Sequence, residues 1–268
     1  MVVREPIVAG QFYPASRSTL EAQIKGFINK TAPKRDAIGL VSPHAGYIYS
    51  GAVTGEVISR IRLKDTFIIL GPNHRGTGKP FSIMTGGSWK TPLGEVEIDS
   101  RLAKHILARS AHLEEDEVAH LFEHSIEVQI PFLQYLRRDV KIVPIVLSHA
   151  RLAVYKEIGI EIAESIKELG SEAVIIASSD MTHYESRESA RQKDTQAIDA
   201  ILELNEDELM SRIKELDISM CGYAPTIALI SAARVLGAKQ TELVSYLTSG
   251  DHTGDYSSVV GYAGILIS

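Results

Sequence analysis

The segment Thr66-Phe67-Ile68-Ile69-Leu70-Gly71-Pro72-Asn73-His74 joins an apolar run of strand length to a turn and a histidine. A short apolar run bounded by Gly and Pro is typical of a buried strand. Two more segments repeat this pattern: residues 37–41 precede Ser42-Pro43-His44, and residues 172–177 precede the polar stretch 178–183. The carboxyl ends of parallel strands meet at one edge of an open α/β sheet, so we expect these polar ends to converge there.

The rest of the chain alternates between apolar runs and segments with helical periodicity. This alternation predicts βαβ units, and therefore an α/β three-layer sandwich in which helices flank a central mixed, mostly parallel sheet. The strands are expected at residues 37–41, 66–70, 141–147, 172–177, 242–247 and 258–267. The helices are expected at residues 50–62, 100–109, 123–136, 152–169, 186–202, 206–215 and 225–236. Residues 79–99 are expected to form a hairpin outside the main sheet, and residues 248–256 a mobile loop.

Composition narrows the class of protein. With 268 residues, of which 44% are hydrophobic, the chain can bury one large core, so residues 1–268 are expected to form a single domain. The net charge of −6 argues against a nucleic-acid partner, which needs a clustered Lys/Arg surface. No apolar run reaches the roughly 18 residues that cross a bilayer, and the first residues lack a signal-peptide pattern. We therefore expect a cytoplasmic protein with no membrane partner.

Three side chains are candidate metal ligands. Imidazole is a common ligand for zinc, copper and iron, so His44 and His74 could share one ion, although each could also be a loop histidine bonded to backbone. Cys221, the only cysteine, precedes Gly222 and Pro225, which predicts a helix start. The positive end of a helix lowers a thiol pKa and favours the thiolate, whereas the alternative is an inert, buried cysteine.

Two further patterns concern acid-base chemistry. Asp180 and His183 follow the apolar run 172–177, where a carboxylate could orient or charge an imidazole for proton transfer. Alternatively, Ser178, Ser179 and Asp180 cap a following helix and form a turn. His120, Glu123 and His124 match the His-x-x-Glu-His spacing of inverted zincins, but nothing downstream identifies the additional carboxylate ligand that such a site needs.

Several of these motifs, taken together and in order, resemble the Memo family across nearly the whole chain. The motifs are residues 9–14 (Ala-Gly-Gln-Phe-Tyr-Pro), 43–47 (Pro-His-Ala-Gly-Tyr), 71–74 (Gly-Pro-Asn-His), 123–127 (Glu-His-Ser-Ile-Glu) and 178–180 (Ser-Ser-Asp) with His183, and Cys221-Gly222 with Pro225. The resemblance implies a fold similar to the class III extradiol, LigB-type non-haem iron dioxygenases. It implies His44, His74 and Cys221 as metal ligands with Asp180 and His183 beside them. Glu123 and His124 belong to the family pattern and could hold the metal ligands through hydrogen bonds. His120 does not belong to the family pattern.

The functional expectation is a metal-dependent oxidoreductase of unknown substrate that uses iron or copper, with zinc also possible. His183, oriented by Asp180, would move the proton. A thiolate replaces the carboxylate of the dioxygenase triad, which favours softer metals. The alternatives are a non-catalytic protein that binds a peptide or small ligand in the same pocket, and a metal-dependent hydrolase. The family resemblance also implies a pathway link to radical-SAM and AMMECR-type proteins.

Overall fold

The computed structural model describes residues 2–268 and consists of helices packed on both faces of a 12-stranded sheet. The strands are β1 (Val3–Arg4), β2 (Gly39–Ser42), β3 (Thr66–Pro72), β4 (Phe81–Ile83), β5 (Ser88–Thr91), β6 (Gly94–Ile98), β7 (Glu114–Glu115), β8 (Lys141–Leu147), β9 (Ala173–Ser178), β10 (His183–Glu185), β11 (Thr241–Thr248) and β12 (Val259–Ile267). The helices are α1 (Arg17–Phe27), α2 (Tyr47–Ile58), α3 (Ser100–Arg109), α4 (Val118–Leu121), α5 (Ile130–Leu136), α6 (Leu152–Leu169), α7 (Arg187–Leu202), α8 (Glu206–Glu215), α9 (Tyr223–Val235) and α10 (Gly250–Thr253).

The centre of the sheet is parallel, in the order β8-β3-β9-β2. These strands are buried on both faces, and their Val/Ile-rich runs lack polar alternation for that reason. Strand β12 continues the sheet antiparallel to β2 and pairs in turn with β10 and β11. On the other side, β6 runs parallel to β8. The predicted α/β class with a mixed, mostly parallel sheet is therefore confirmed.

Two glycines show that the sheet has a helix layer on each face. A Cβ at Gly264 in β12 would lie 3.1 Å from side-chain atoms of Val53 and Val57 in α2. A Cβ at Gly39 in β2 would collide with Leu229 of α9, and Gly39 is the register partner of Ile267. Residues 264 and 267 of a strand point to opposite faces because side chains alternate, so α2 and α9 cover opposite faces.

The expected hairpin at residues 79–99 is present, but it does not leave the main sheet. Strands β5 and β6 pair antiparallel, and β6 joins β8 through Glu97 and Ile98. Strand β4 pairs antiparallel with the carboxyl half of β8. The hairpin therefore extends the main sheet, because β6 and β4 pair with an edge of β8 that would otherwise be open to other chains.

The helix expected at residues 123–136 is shorter than the periodicity suggested. Helix α4 ends at Leu121, the chain is irregular near Glu123, and a 3₁₀ turn at Glu127–Gln129 leads into α5. The apolar residues in this stretch reflect burial of an irregular segment, since Ile126 and Val128 are in the core.

Residues 248–256 contain the one-turn helix α10, in which the Asp251 carboxylate accepts hydrogen bonds from Thr248. The mobility of this loop stays a prediction.

None of the helices within residues 2–268 is long and apolar enough to cross a membrane. The division of the chain into a single domain stays a prediction.

Candidate metal centre

The fold brings the three predicted ligands together. His44 follows β2, His74 follows β3, and Cys221 lies in the connection between α8 and α9. One ligand atom from each of the three residues lies within 4.8 Å of the others. The connection that carries Cys221 is held at the end of β9, where the Gly222 N–H donates to Ser179 Oγ at 3.0 Å. The expected convergence at the carboxyl edge of the parallel strands is thus present in the structure.

His44 is almost fully buried, and its ring is held through Ser178. The Ser178 hydroxyl donates to the Ser125 carbonyl at 2.7 Å and accepts from Gln129 Nε2 at 2.9 Å. Its oxygen therefore accepts the proton of His44 Nδ1, 3.1 Å away. This tautomer leaves the Nε2 lone pair of His44 facing Cys221 Sγ at 3.2 Å. Burial, followed by the neighbouring His124 and His74, lowers the pKa of His44 well below its usual value, so the ring is neutral at pH 7.

His74 is oriented by a buried carboxylate. Its Nδ1–H donates to Glu123 Oε1 at 2.9 Å, and its backbone N–H donates to Glu123 Oε2 at 2.9 Å. The Ser125 N–H adds a third hydrogen bond, to Oε1. Burial opposes ionisation of Glu123, but the hydrogen bonds from His74 and Ser125 and the interactions with the His74 and His124 rings outweigh burial and lower the pKa of Glu123. The ionised carboxylate therefore fixes the tautomer of His74 and leaves Nε2 available as a ligand.

His124 completes a cluster of three imidazoles. Its ring stacks on His74 with 4.8 Å between centroids and contacts His44 edge-on at 5.4 Å. Phe12 covers its other side at 4.9 Å. Burial lowers the pKa of His124 to about 4 although the nearby Glu123 raises it, so this ring is also neutral at pH 7. His124 packs against both candidate ligands, and His74, Glu123 and His124 form a second grouping of possible metal donors.

The thiol of Cys221 differs from the sequence expectation. The residue lies next to the start of α9, as expected, but burial of the thiol and then the charge of Asp180 raise its pKa. These two effects outweigh the backbone hydrogen bonds that lower the pKa, so the position next to α9 does not by itself produce a thiolate. A cation bound at the sulfur would reverse the direction, since a coordinating thiol is deprotonated.

Asp180 and His183 are near the centre but are not joined to each other by a hydrogen bond within residues 2–268. Asp180 Oδ1 accepts from the His44 backbone N–H at 2.7 Å, so this carboxylate holds the ligand loop. His183 is oriented by Ser219 instead, because its Nδ1–H donates to the Ser219 carbonyl at 3.0 Å. Strand β10 follows Asp180, so the residues before it do not cap a helix, and Ser186 caps α7.

The structure separates His120 from the cluster. Its ring is fully buried against Trp89, and its Nε2 lies 2.8 Å from Ser82 Oγ. Burial, followed by the charge of Arg4, lowers the pKa of His120 to about 3. Because the chain is not helical at Glu123, His120 and His124 do not share one helical face, and the zincin interpretation is not supported.

A cleft of about 370 Å³ opens beside His74 and Cys221. It lies between the ends of β3 and β8 and the start of α9, and within it His149 Nδ1 lies 2.8 Å from the Tyr223 hydroxyl. Its volume falls in the range of small-molecule sites. The polar lining residues are Asn73, His74, Ser148, His149, Ser219, Cys221 and Tyr223.

The donor set fits a transition-metal ion. Zn–S and Zn–N bonds of about 2.3 and 2.05 Å at a tetrahedral angle place sulfur and nitrogen about 3.6 Å apart, close to the 3.2 Å between Cys221 Sγ and His44 Nε2. In both histidines Nδ1 is already occupied by a hydrogen bond, as is usual for metal-binding imidazoles. The fold and this cluster define an α/β protein with a candidate two-histidine, one-cysteine metal centre at the edge of its sheet.

Residues 4–266 match the family of Memo-like proteins. The chain is 47% identical over 267 residues to a MEMO1 family protein of Methanococcoides burtonii, covering 99% of this chain and 100% of that protein. It is also 47% identical to a MEMO1 family protein of Aquifex aeolicus, with 99% of each covered. The chain therefore belongs to the Memo family. Among solved structures, an uncharacterized protein from Escherichia coli K12 shares the fold with a TM-score of 0.58 at 13% identity, covering 85% of this chain and 98% of that one.

Proposed function

We propose that this protein binds one transition-metal ion through His44, His74 and Cys221 and is an oxidoreductase that acts on a small ligand in the adjoining cleft. The observation that supports this best is the pre-arrangement of both histidines. Ser178 and Glu123 each hold a Nδ1–H, so that both rings have Nε2 free at the same sheet edge as Cys221. Metal-binding histidines almost always donate their other ring N–H to a partner of this kind.

Charge supports a divalent ion. Glu123 is a fully buried carboxylate beside the neutral rings of His44 and His124. The hydrogen bonds of the Glu123 carboxylate come from His74 and Ser125, because Arg4, the nearby buried cation, has its ion pair with Glu127. A divalent ion would offset the buried negative charge of the Glu123 and Asp180 carboxylates and of a Cys221 thiolate.

Mixed imidazole and thiolate donors suit iron, copper and zinc. We propose iron or copper, since a redox-active ion would supply electron-transfer chemistry to a bound ligand. Within the protein, Glu123 and Ser178 keep the ligand rings in place. His183 has Nδ1 bonded to the Ser219 carbonyl, so its Nε2 is the proposed proton acceptor. Asp180 has the separate task of holding the His44 loop.

The test is the metal content of untagged protein purified without added metal, measured by elemental analysis for wild type and His74→Ala. His112→Ala is the matched control, because His112 is a similarly exposed histidine that also contacts a carboxylate, Glu157. We expect near-stoichiometric iron or copper in wild type and in the control, and little in His74→Ala. Equal metal content in all three proteins would refute the ligand assignment.

The identity of the metal separates the proposed reaction from the alternatives. Tight zinc with no iron or copper would overturn the oxidoreductase proposal in favour of hydrolysis. Protein without metal that gains none on incubation with Fe²⁺, Cu²⁺ or Zn²⁺ would leave a non-catalytic binding protein.

A further inference from the structure

The N-terminal strand carries a buried arginine that the proposed metal centre does not use directly. Arg4 is 2% exposed, and its guanidinium lies 4.1 Å over the Trp89 ring. Its Nη1 forms an ion pair with Glu127 Oε2 at 2.5 Å. Its Nε donates to the His120 carbonyl at 2.8 Å, and Nη2 donates to the Glu123 carbonyl at 2.7 Å. One guanidinium therefore binds three points of a single distant segment.

That segment is residues 120–127, which carries Glu123 and His124 to the candidate ligands. Between α4 and the 3₁₀ turn it has no regular helix, and its own backbone hydrogen bonds are single turns, such as Glu123 N–H to the His120 carbonyl at 3.4 Å and Val128 N–H to the His124 carbonyl at 3.1 Å. Arg4 holds it at the start, in the middle and at the end, through His120, Glu123 and Glu127. The position of the Glu123 side chain against His74 thus depends on a contact 119 residues away in sequence.

Glu127 connects the same segment to the N-terminal stretch. Its carboxylate accepts the backbone N–H groups of Ile7 and Val8, each at 3.1 Å, and the Tyr13 hydroxyl at 2.6 Å. The residue before Tyr13, Phe12, contacts the His124 ring, and its carbonyl accepts the N–H of Tyr47, the first residue of α2. The stretch therefore touches both the Glu123 segment and the element that follows His44.

We propose that Arg4, paired with Glu127, is a positioning residue for the metal centre. It holds Glu123 so that the carboxylate accepts the Nδ1 proton of His74 and leaves Nε2 free for the ion. The consequence for metal binding rests on the proposed function, whereas the consequence for the His74 tautomer does not. Lysine cannot replace arginine here, because a point-like ammonium cannot reach two carbonyls and a carboxylate in the fixed directions of a guanidinium.

The experiment compares full-length wild type, Arg4→Lys, and the control Glu206→Gln. Glu206 is also a buried carboxylate paired with an arginine, Arg234, which lies roughly 16 Å along α9 from the Cys221 end. Two quantities are measured: the His74 tautomer by long-range ¹H–¹⁵N NMR before and after addition of Zn²⁺, and Co²⁺ affinity by chelator competition with the visible spectrum of the bound ion. Glu127→Gln, which keeps the shape of the carboxylate, is measured in the same way in case Arg4→Lys does not fold.

We expect wild type to show His74 protonated at Nδ1. In Arg4→Lys this state should be partly lost, with a changed Co²⁺ spectrum and roughly 10- to 100-fold weaker binding, while the control matches wild type. An unchanged tautomer and affinity in Arg4→Lys and Glu127→Gln would overturn the proposal, as would equal changes in Glu206→Gln, which would indicate general destabilisation. A wild type that shows the Nδ1 tautomer, altered in Arg4→Lys, but binds no Co²⁺ or Zn²⁺ would retain the positioning role and reject the metal centre.

Discussion

Replacement of Glu123 by glutamine tests whether a carboxylate behind His74 is needed for metal binding. The carboxylate accepts three hydrogen bonds: from His74 Nδ1, from the His74 backbone N–H and from the Ser125 N–H. Glutamine of the same shape has one oxygen, so one of its two ends is an NH₂ group that faces a donor. In either orientation at least one N–H loses its acceptor.

The magnitude follows from these contacts. A hydrogen bond to a charged group contributes about 1.5–3 kcal/mol, and a buried donor without a partner costs about 1–3 kcal/mol. Relief of the buried charge offsets part of this loss. We therefore expect Glu123→Gln to lower the free energy of unfolding by about 2–4 kcal/mol. Since His74 Nδ1–H is no longer held by a charge, metal affinity should fall roughly 10- to 100-fold.

Urea unfolding measures the first quantity, and chelator competition with Co²⁺ or Zn²⁺ measures the second. Glu206→Gln again serves as the control, because it removes a buried charge far from the centre. Glu123→Gln with wild-type metal affinity would refute the argument, whatever its stability. A loss of affinity equal to that of the control would show that stability, and not the orientation of His74, is the cause.

Ser178, His120 and Cys221 each allow a separate test. Ser178→Ala should weaken Co²⁺ binding about tenfold or more in chelator competition with little change in fold by circular dichroism, because the Nδ1–H of His44 loses its acceptor; unchanged affinity would contradict the assigned tautomer. The free energy of unfolding should fall as the pH drops below about 6.5, because the unfolded chain takes up a proton at His120 that the folded chain, with the pKa of His120 lowered to about 3, does not. Between pH 7 and pH 5, the free energy of unfolding of His120→Gln, measured by urea titration, should accordingly fall by about 2 kcal/mol less than that of wild type. The variant should retain wild-type metal content. Parallel pH profiles of the two proteins would exclude His120 as the source of the pH dependence. In metal-free protein, Cys221 should react with iodoacetamide at pH 8 at least about tenfold more slowly than a free cysteine, because its raised pKa leaves little thiolate. Mass spectrometry follows the reaction, and fast alkylation of the metal-free protein would contradict the direction of the shift.

Local patterns in the sequence were sufficient for much of the secondary structure. Strand β8 and helices α3, α6 and α8 have the predicted boundaries. Their ends are set by neighbouring residues: Asp99 caps α3, Asn205 caps α8, and Gly170 ends α6 in the left-handed conformation. Hydrophobic periodicity and caps act over a few residues, so sequence alone contains them. The α/β class and the clustering of His44, His74 and Cys221 followed from strand-end positions and from the family resemblance.

The support of that cluster could not be read from the sequence. Ser178 belonged to a recognised motif, but its role as acceptor for His44 depends on Gln129 and Ser125, which approach from another part of the chain. His183 is oriented by donating its Nδ1–H to the Ser219 carbonyl, and no local signal singled out that serine.

The sequence by itself determined which residues end the central strands, and therefore which side chains can meet at the sheet edge. Only the tertiary structure decided how they are held: Arg4 lies 123 residues from Glu127, and the His44 backbone lies 136 residues from Asp180. The physical reason is that burial makes such polar contacts obligatory without specifying the partner in sequence. An unpaired buried charge or N–H costs several kcal/mol, and folding meets that requirement with whichever groups the packed layers bring together.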